Sequence, residues 1–195
     1  AREELLAEVR KGTFPVGMAK QDYLDIRIQE SLVEGSRIDL LAMGRPEGPG
    51  CYCAANNMIR VALDRIEGNY DFIVIDNEAG MEHISRQTTQ DVDVLLLVSD
   101  PTVRGIVTAV RMKELIGEIR TEVGRVALVV NRTTNGLSAE VQRLIKENGL
   151  DLISVIRSDP AVEEADTEGN PLSSLPAVSP VRLSVMEIAQ KVGLI

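Results

Sequence analysis

The chain has 195 residues, enough for one domain with a buried core, and its composition of 44% hydrophobic and 26% charged residues is globular rather than disordered. Aromatic residues make up 3% and tryptophan is missing, so the core must be aliphatic, as in parallel α/β sheets. Lys and Arg total 21 against 30 Asp and Glu, a net charge of −9, which opposes unaided binding to a phosphate backbone and sets nucleic acid aside as a partner. No apolar run approaches the ~20 residues of a spanning helix, so a membrane is not expected as a partner either. The start Ala1-Arg2-Glu3-Glu4 is no signal peptide, and two cysteines two positions apart make no disulfide framework. A cytoplasmic location is the expectation. A first residue other than Met is read as a start inside a longer reading frame.

Residues 2–11 form a short charged amphipathic helix candidate, and 12–36 are ambiguous. Ile38–Met43 reads as a strand closed by the glycine-rich loop Gly44–Gly50. Ala55–Ile66 reads as a helix, with Met58, Ile59, Ala62, Leu63 and Ile66 at helical spacing. Phe72–Ile75 is a strand candidate, with a short helix from about Met81. Val92–Val98 is the next strand, followed by a long helix from about Val103 to Arg120. Val126–Val130 is a strand leading to a helix at Ser138–Glu147. Leu152–Ile156 is the last strand, with short helices beyond Pro160 and from about Pro180. Apolar strands alternating with helices predict one α/β domain over 1–195, a mostly parallel sheet with helices on both faces.

Such sheets bind ligands beyond the carboxyl ends of their strands. That singles out Gly44–Cys53, Asp76–His83, Ser99-Asp100-Pro101, Asn131-Arg132 and Ser158-Asp159-Pro160. In Gly48-Pro49-Gly50-Cys51-Tyr52-Cys53, residues i and i+2 of an extended segment project to one side. Two thiols so placed can hold one soft ion, whereas a disulfide across a single residue would be strained. A zinc ion wants four ligands, so a twofold axis through the metal would complete the site in a homodimer. The plainer reading is two free buried cysteines.

In Asp71–His83 an apolar run ends in Asp76, where a carboxylate meets the Mg²⁺ and γ-phosphate of a P-loop ATPase. Gly80 lets the backbone approach and move. The plainer reading of Asp76 is a helix cap. Asn131 offers a donor and an acceptor that suit adenine, although Asn and Asp-Pro are ordinary turn residues. His83 is the single histidine, more often a surface residue than a ligand. Val181–Ile195 is amphipathic, but Arg182 and Lys191 are its only basic residues, so it is expected to pack on the domain rather than on a lipid surface.

The Cys-x-Cys after a glycine-rich loop, followed by Asp-x-Glu-Ala-Gly-x-Glu-His, resembles the nickel-insertion accessory ATPases of carbon monoxide dehydrogenase (the CooC family). These lie within the class of MinD, ParA and the nitrogenase iron protein. The resemblance runs from Ile38 to Leu172. It implies a P-loop NTPase-like fold truncated at its N-terminus, since nothing here matches the family's phosphate loop with its two lysines. It implies Zn²⁺ or Ni²⁺ at Cys51 and Cys53 of a homodimer. It further implies ATP or ADP with Mg²⁺, catalytic roles for Asp76, Glu78 and Gly80, and nucleotide contacts at Asn131, Arg132, Asp159 and Pro160. The implied partner is the carbon monoxide dehydrogenase apoenzyme. On this reading the 195-residue chain does not hydrolyse ATP and its longer parent does. The alternatives are a non-catalytic metal-binding dimerisation module and a MinD/ParA-like regulatory ATPase.

Overall fold

A computed structural model describes residues 20–42, 63–77, 92–118 and 122–195. They divide into two compact units, Ala1–Asn77 and Glu78–Ile195. Each is described by itself.

The first unit opens with helix α1 (Lys20–Ser31), which runs straight into a two-residue strand β1 (Leu32–Val33). This settles part of the ambiguous stretch 12–36 as helix. Strand β2 (Leu40–Leu41) pairs antiparallel with β1, Leu32 opposite Leu41 and Val33 opposite Leu40. Of the strand expected at Ile38–Met43, residues 38–42 are described, and two of them, Leu40 and Leu41, are paired in an antiparallel ribbon. Ile38 is 82% exposed and stands outside the ladder. Of the helix expected at Ala55–Ile66, residues 63–66 are described and are helical, and they end in a 3-10 turn at Glu67–Asn69. Phe72–Ile75, expected as a strand, is extended chain without a ladder. Strand identity needs a neighbour to receive the backbone hydrogen bonds. None pairs with it among the described residues, and Phe72 (54%) and Val74 (79%) stay exposed.

The second unit follows the expected pattern closely. Strands β3 (Val92–Ser99), β4 (Val123–Thr133) and β5 (Leu152–Arg157) form a parallel sheet in the order β3-β4-β5. They alternate with helices α2 (Val103–Glu118), α3 (Ala139–Glu147), α4 (Pro160–Glu168) and α5 (Pro180–Lys191). In β4, successive side chains point to opposite faces. Leu128 and Val130 join Leu97, Ile106, Ala109, Val141 and Ile145 in a core under α2 and α3. Ala127 and Val129 join Ile153, Ile156 and Ile188 under α5. The apolar composition of these strands is explained by helices on both faces.

Helix ends are set by local chemistry. Ser138 Oγ accepts from the Val141 amide and starts α3, while Gly169, at φ 71°, ends α4. Helix α5 packs on β5 through Ile188, as expected for a helix docked on the domain. Lys191 Nζ donates to the Ile153 carbonyl and pairs with Glu187, which blocks part of the outer edge of β5. Helix α5 does not reach across to β3. Leu96 and Val98 lie opposite Ala127 and Val129 in register, yet they are 37% and 65% exposed. Among the described residues no helix is long and apolar enough to cross a membrane.

Candidate functional site

Three loops leave the carboxyl edge of the β3-β4-β5 sheet, and the sequence picks each of them out. After β3 comes Ser99-Asp100-Pro101-Thr102. The Asp100 carboxylate accepts from the Thr102 hydroxyl and from its amide at 3.0 Å. These bonds hold the carboxyl below its ordinary range, the Thr102 hydroxyl first and the Thr102 amide second. Thr102 Oγ1 in turn accepts from the Gly105 amide at 3.0 Å and caps α2. Gly105 is required by this packing. A Cβ there would lie 2.6 Å from Ser99 Oγ and nearer still to Asp100 Oδ1.

After β4 the chain does something the sequence did not announce. Val130 pairs with Val155 and Thr133 with Arg157, so Asn131 and Arg132 together face the single residue Ile156. That is a bulge, and it re-aims the chain at the edge where ligands bind. Arg132 takes φ 60°, in the left-handed region that non-glycine residues rarely enter. Asn131 stabilises it locally, because its Oδ1 accepts from the Arg132 amide at 2.8 Å. That bond fixes the amide orientation. The oxygen points to the chain's own backbone, and the NH₂ makes no hydrogen bond among the described residues. Thr133, 1% exposed, anchors the far side of the bulge by donating to the Ile156 carbonyl at 3.2 Å. Its own carbonyl receives the Ser158 amide at 2.9 Å.

After β5, Asp159 caps α4 with Pro160 at the first helical position. Asp159 Oδ1 accepts from the Ala161 amide at 3.0 Å, and Oδ2 accepts from Ser179 Oγ at 2.9 Å. Ser179 is the cap of α5, its Oγ accepting from the Arg182 amide. One carboxylate therefore joins the starts of two helices. Both its oxygens take part in bonds within the protein, which holds the carboxylate and Pro160 in place at the mouth of this loop.

The structure thus brings Asn131, Arg132, Asp159 and Pro160 to one edge of one sheet. Asp76 stands exposed near the end of the extended stretch of the first unit. Cys51, Cys53, Glu78, Gly80 and His83 lie outside the described residues. Among the described residues no cluster of three or more His, Cys, Asp or Glu is placed to hold a metal ion. The donor chemistry still suits the implied groups: two thiols suit a soft divalent ion, and an exposed carboxylate at the end of an extended stretch suits Mg²⁺. Sequence reading missed Ser179, Thr133 and Gly105. A Ser-Pro before an amphipathic run does signal a helix start at Ser179, but its bond to Asp159 crosses 20 residues and has no local signature.

No protein-family model matches the chain. It is 43% identical over 191 residues to the uncharacterized ATP-binding protein MJ0685 of Methanocaldococcus jannaschii, covering 98% of this chain and 76% of the relative. It is 29% identical over 175 residues to the carbon monoxide dehydrogenase accessory protein CooC of Rhodospirillum rubrum, covering 87% of this chain and 63% of that protein. The chain therefore spans less than two thirds of the accessory protein's length. Among solved structures, the MinD cell division protein of Aquifex aeolicus superposes with a TM-score of 0.67 at 20% identity, covering 99% of this chain and 80% of that one. The expected P-loop NTPase-like α/β fold is borne out, and the specific tie to the accessory protein is the more distant of the two sequence likenesses. The chain belongs to the family of the ATP-binding protein MJ0685 and has a MinD-like α/β fold.

Proposed function

We propose that the chain is the nucleotide- and metal-handling part of an ATP-dependent metallochaperone that serves nickel insertion into carbon monoxide dehydrogenase and works as a homodimer. The observation that carries the reading is the alignment with the accessory protein over 87% of the chain at 29% identity. ATP binding is supported by the likeness to MJ0685, an ATP-binding protein by name.

In this reading the adenine lies against the carboxyl edge of β4 and β5. The Asn131 NH₂ donates to a ring acceptor, Arg132 lies beside it, and the Asp159-Pro160 loop flanks the base. Asp76 serves the phosphates, with Glu78 and Gly80 in the segment that responds to nucleotide state. Mg²⁺, when bound there, neutralises phosphate charge. Cys51 and Cys53 each supply a thiolate, and their counterparts in a second copy complete four sulfur ligands. A MinD-like regulatory ATPase is the second reading, favoured by the superposition on MinD.

Metal content and mass separate the readings. Supplied with zinc or nickel under reducing conditions, the wild-type chain should be a dimer with about one ion per two chains. Cys51→Ser/Cys53→Ser should be metal-free and monomeric. A metal-free wild-type monomer would sink the metallochaperone reading and leave the regulatory one. Calorimetric titration of the 195-residue chain with ATP, ADP and adenosine tests the nucleotide part. Weak binding that is nearly indifferent to phosphate number is expected, and tight Mg²⁺-dependent preference for ATP would reveal a phosphate site within these residues.

A further inference from the structure

Within the first unit, one long-range side-chain bond joins the two stretches on which the proposed chemistry depends. Tyr70 Oη donates to Asp39 Oδ2 at 2.6 Å, across 31 residues of sequence. Asp39 Oδ1 accepts from the Gly35 amide at 2.9 Å. The Asp39 carboxylate therefore closes the turn between β1 and β2 with one oxygen and takes the tyrosine with the other. Both side chains are half-buried. The bond holds Asp39 below the ordinary carboxylate range and Tyr70 above the ordinary phenol range, so each partner favours the paired state.

The segment after Tyr70 matters more than the bond itself. It runs extended without a ladder, with Phe72, Ile73, Val74 and Ile75 all exposed, to Asp76. A stretch with neither ladder bonds nor a buried face is fixed only where it is tied. Among the described residues, Tyr70 is the one side chain of 70–77 that hydrogen-bonds to another part of the chain. A carboxylate that must meet a phosphate-bound ion tolerates little misplacement, since about 1 Å of error can lower a rate by ~100-fold.

We propose that Tyr70 and Asp39 form a latch that fixes the origin of the segment carrying Asp76, which makes Tyr70 a positioning residue for nucleotide hydrolysis. The proposal rests on the proposed role of Asp76. Its structural half stands independently of that role. Asp39 stands one residue before β2, whose chain continues toward the Cys51 loop. The latch therefore ties the residue before β2 to the start of the stretch that carries Asp76.

Two measurements decide it. The protein has no tryptophan, so Phe72→Trp places a single reporter two residues from the latch, at a position already 54% exposed. In that background Tyr70→Phe should lower the tryptophan anisotropy clearly. Asp39→Asn, whose amide oxygen can still accept from the phenol, should lower it less. The double variant should add little to Tyr70→Phe alone. Unchanged anisotropy in Tyr70→Phe overturns the latch. In the whole protein, Tyr70→Phe should lower kcat for Mg²⁺-dependent ATP hydrolysis by about tenfold or more, with KM within about twofold, the split expected for lost positioning. An unchanged kcat overturns the positioning role. If wild type shows no turnover, the Asp76 reading fails on its own, and the anisotropy arm still decides the latch.

Discussion

The carboxylate of Asp159 gives the sharpest stability test, because it does two jobs whose sizes can be separated. Its Oδ1 caps α4 through the Ala161 amide, and its Oδ2 receives the hydroxyl of Ser179, which is 6% exposed. Asp159→Ala removes an N-cap, worth about 1 kcal/mol. It also strands a buried hydroxyl donor, worth about 1–2 kcal/mol more. The expected loss is therefore about 2–3 kcal/mol, well above that of an ordinary surface change. Asp159→Asn should lose less than about 1 kcal/mol, because the amide oxygen keeps the cap and the Ser179 hydroxyl can turn to accept from the NH₂. Ser179→Ala removes the cap of α5 and one partner of Asp159. The double alanine variant should fall short of the sum of the singles by about 1 kcal/mol, since the bond can be lost only once. Urea unfolding followed by far-ultraviolet circular dichroism reads this without tryptophan. With a slope of about 1.5–2 kcal/mol/M, the Asp159→Ala midpoint should drop by about 1–2 M. A loss below about 0.5 kcal/mol, or equal losses for Ala and Asn, would refute the joint. The same variants test function, because a residue that only joins helices should tolerate Asn with nucleotide affinity unchanged.

Gly105→Ala would ordinarily stabilise an exposed helix by up to ~1 kcal/mol, but here the new methyl meets Ser99 Oγ at 2.6 Å and crowds Asp100. We expect a net loss of about 1 kcal/mol in chemical denaturation, reversed to a gain in a Ser99→Ala/Asp100→Ala background; a gain in both backgrounds would refute the packing. Asp100 is held below its ordinary range by Thr102, so its contribution is present above the unfolded carboxylate range and is lost as pH falls through the lower folded value. As pH falls below about 4, Asp100→Asn should therefore lose less stability than wild type, and parallel acid profiles would contradict this.

The second unit was legible because its signal is redundant. Val94–Val98 and Val126–Val130 are apolar on both faces, each is followed by a helix of period 3.6, and a parallel sheet with helices on both faces accounts for the pattern, although Leu96 and Val98 of β3 stay exposed. Boundaries were extended rather than overturned: β4 runs to Thr133 because the bulge at Asn131 carries the strand past the end of its apolar run. The first unit was less legible for the opposite reason. Phe72-Ile73-Val74-Ile75 has strand composition, but a strand is defined by its neighbour, and composition cannot supply one. Ile38–Met43 shows the same limit, since two paired residues in an antiparallel ribbon result from the turn that Asp39 and Gly35 close rather than from the apolar run. The long-range bonds Tyr70–Asp39 and Ser179–Asp159 were invisible for the same reason: each joins residues that are ordinary in their own neighbourhoods.

Asn131 and Arg132 show where sequence rules fail informatively. A run of β-branched residues entering a long polar side chain should end the strand or turn, and glycine or asparagine should occupy any left-handed position. Instead arginine sits at φ 60°, a conformation that costs of order 1 kcal/mol for such a residue. Asparagine spends its oxygen on holding it there. Thr133 is buried beneath them and bonds across to β5, so the strained pair rests on a rigid floor rather than on a loose loop. With its oxygen committed to the backbone, Asn131 offers a ligand chiefly two N–H groups, and the bulge holds them at the edge where this class of sheet receives nucleotides. Strain that is bonded on one side and packed on the other is what a preorganised contact requires. On the proposed reading, this strained pair is the recognition end of the site, at the central strand of the three-stranded sheet with the caps of α2 and α4 on either side.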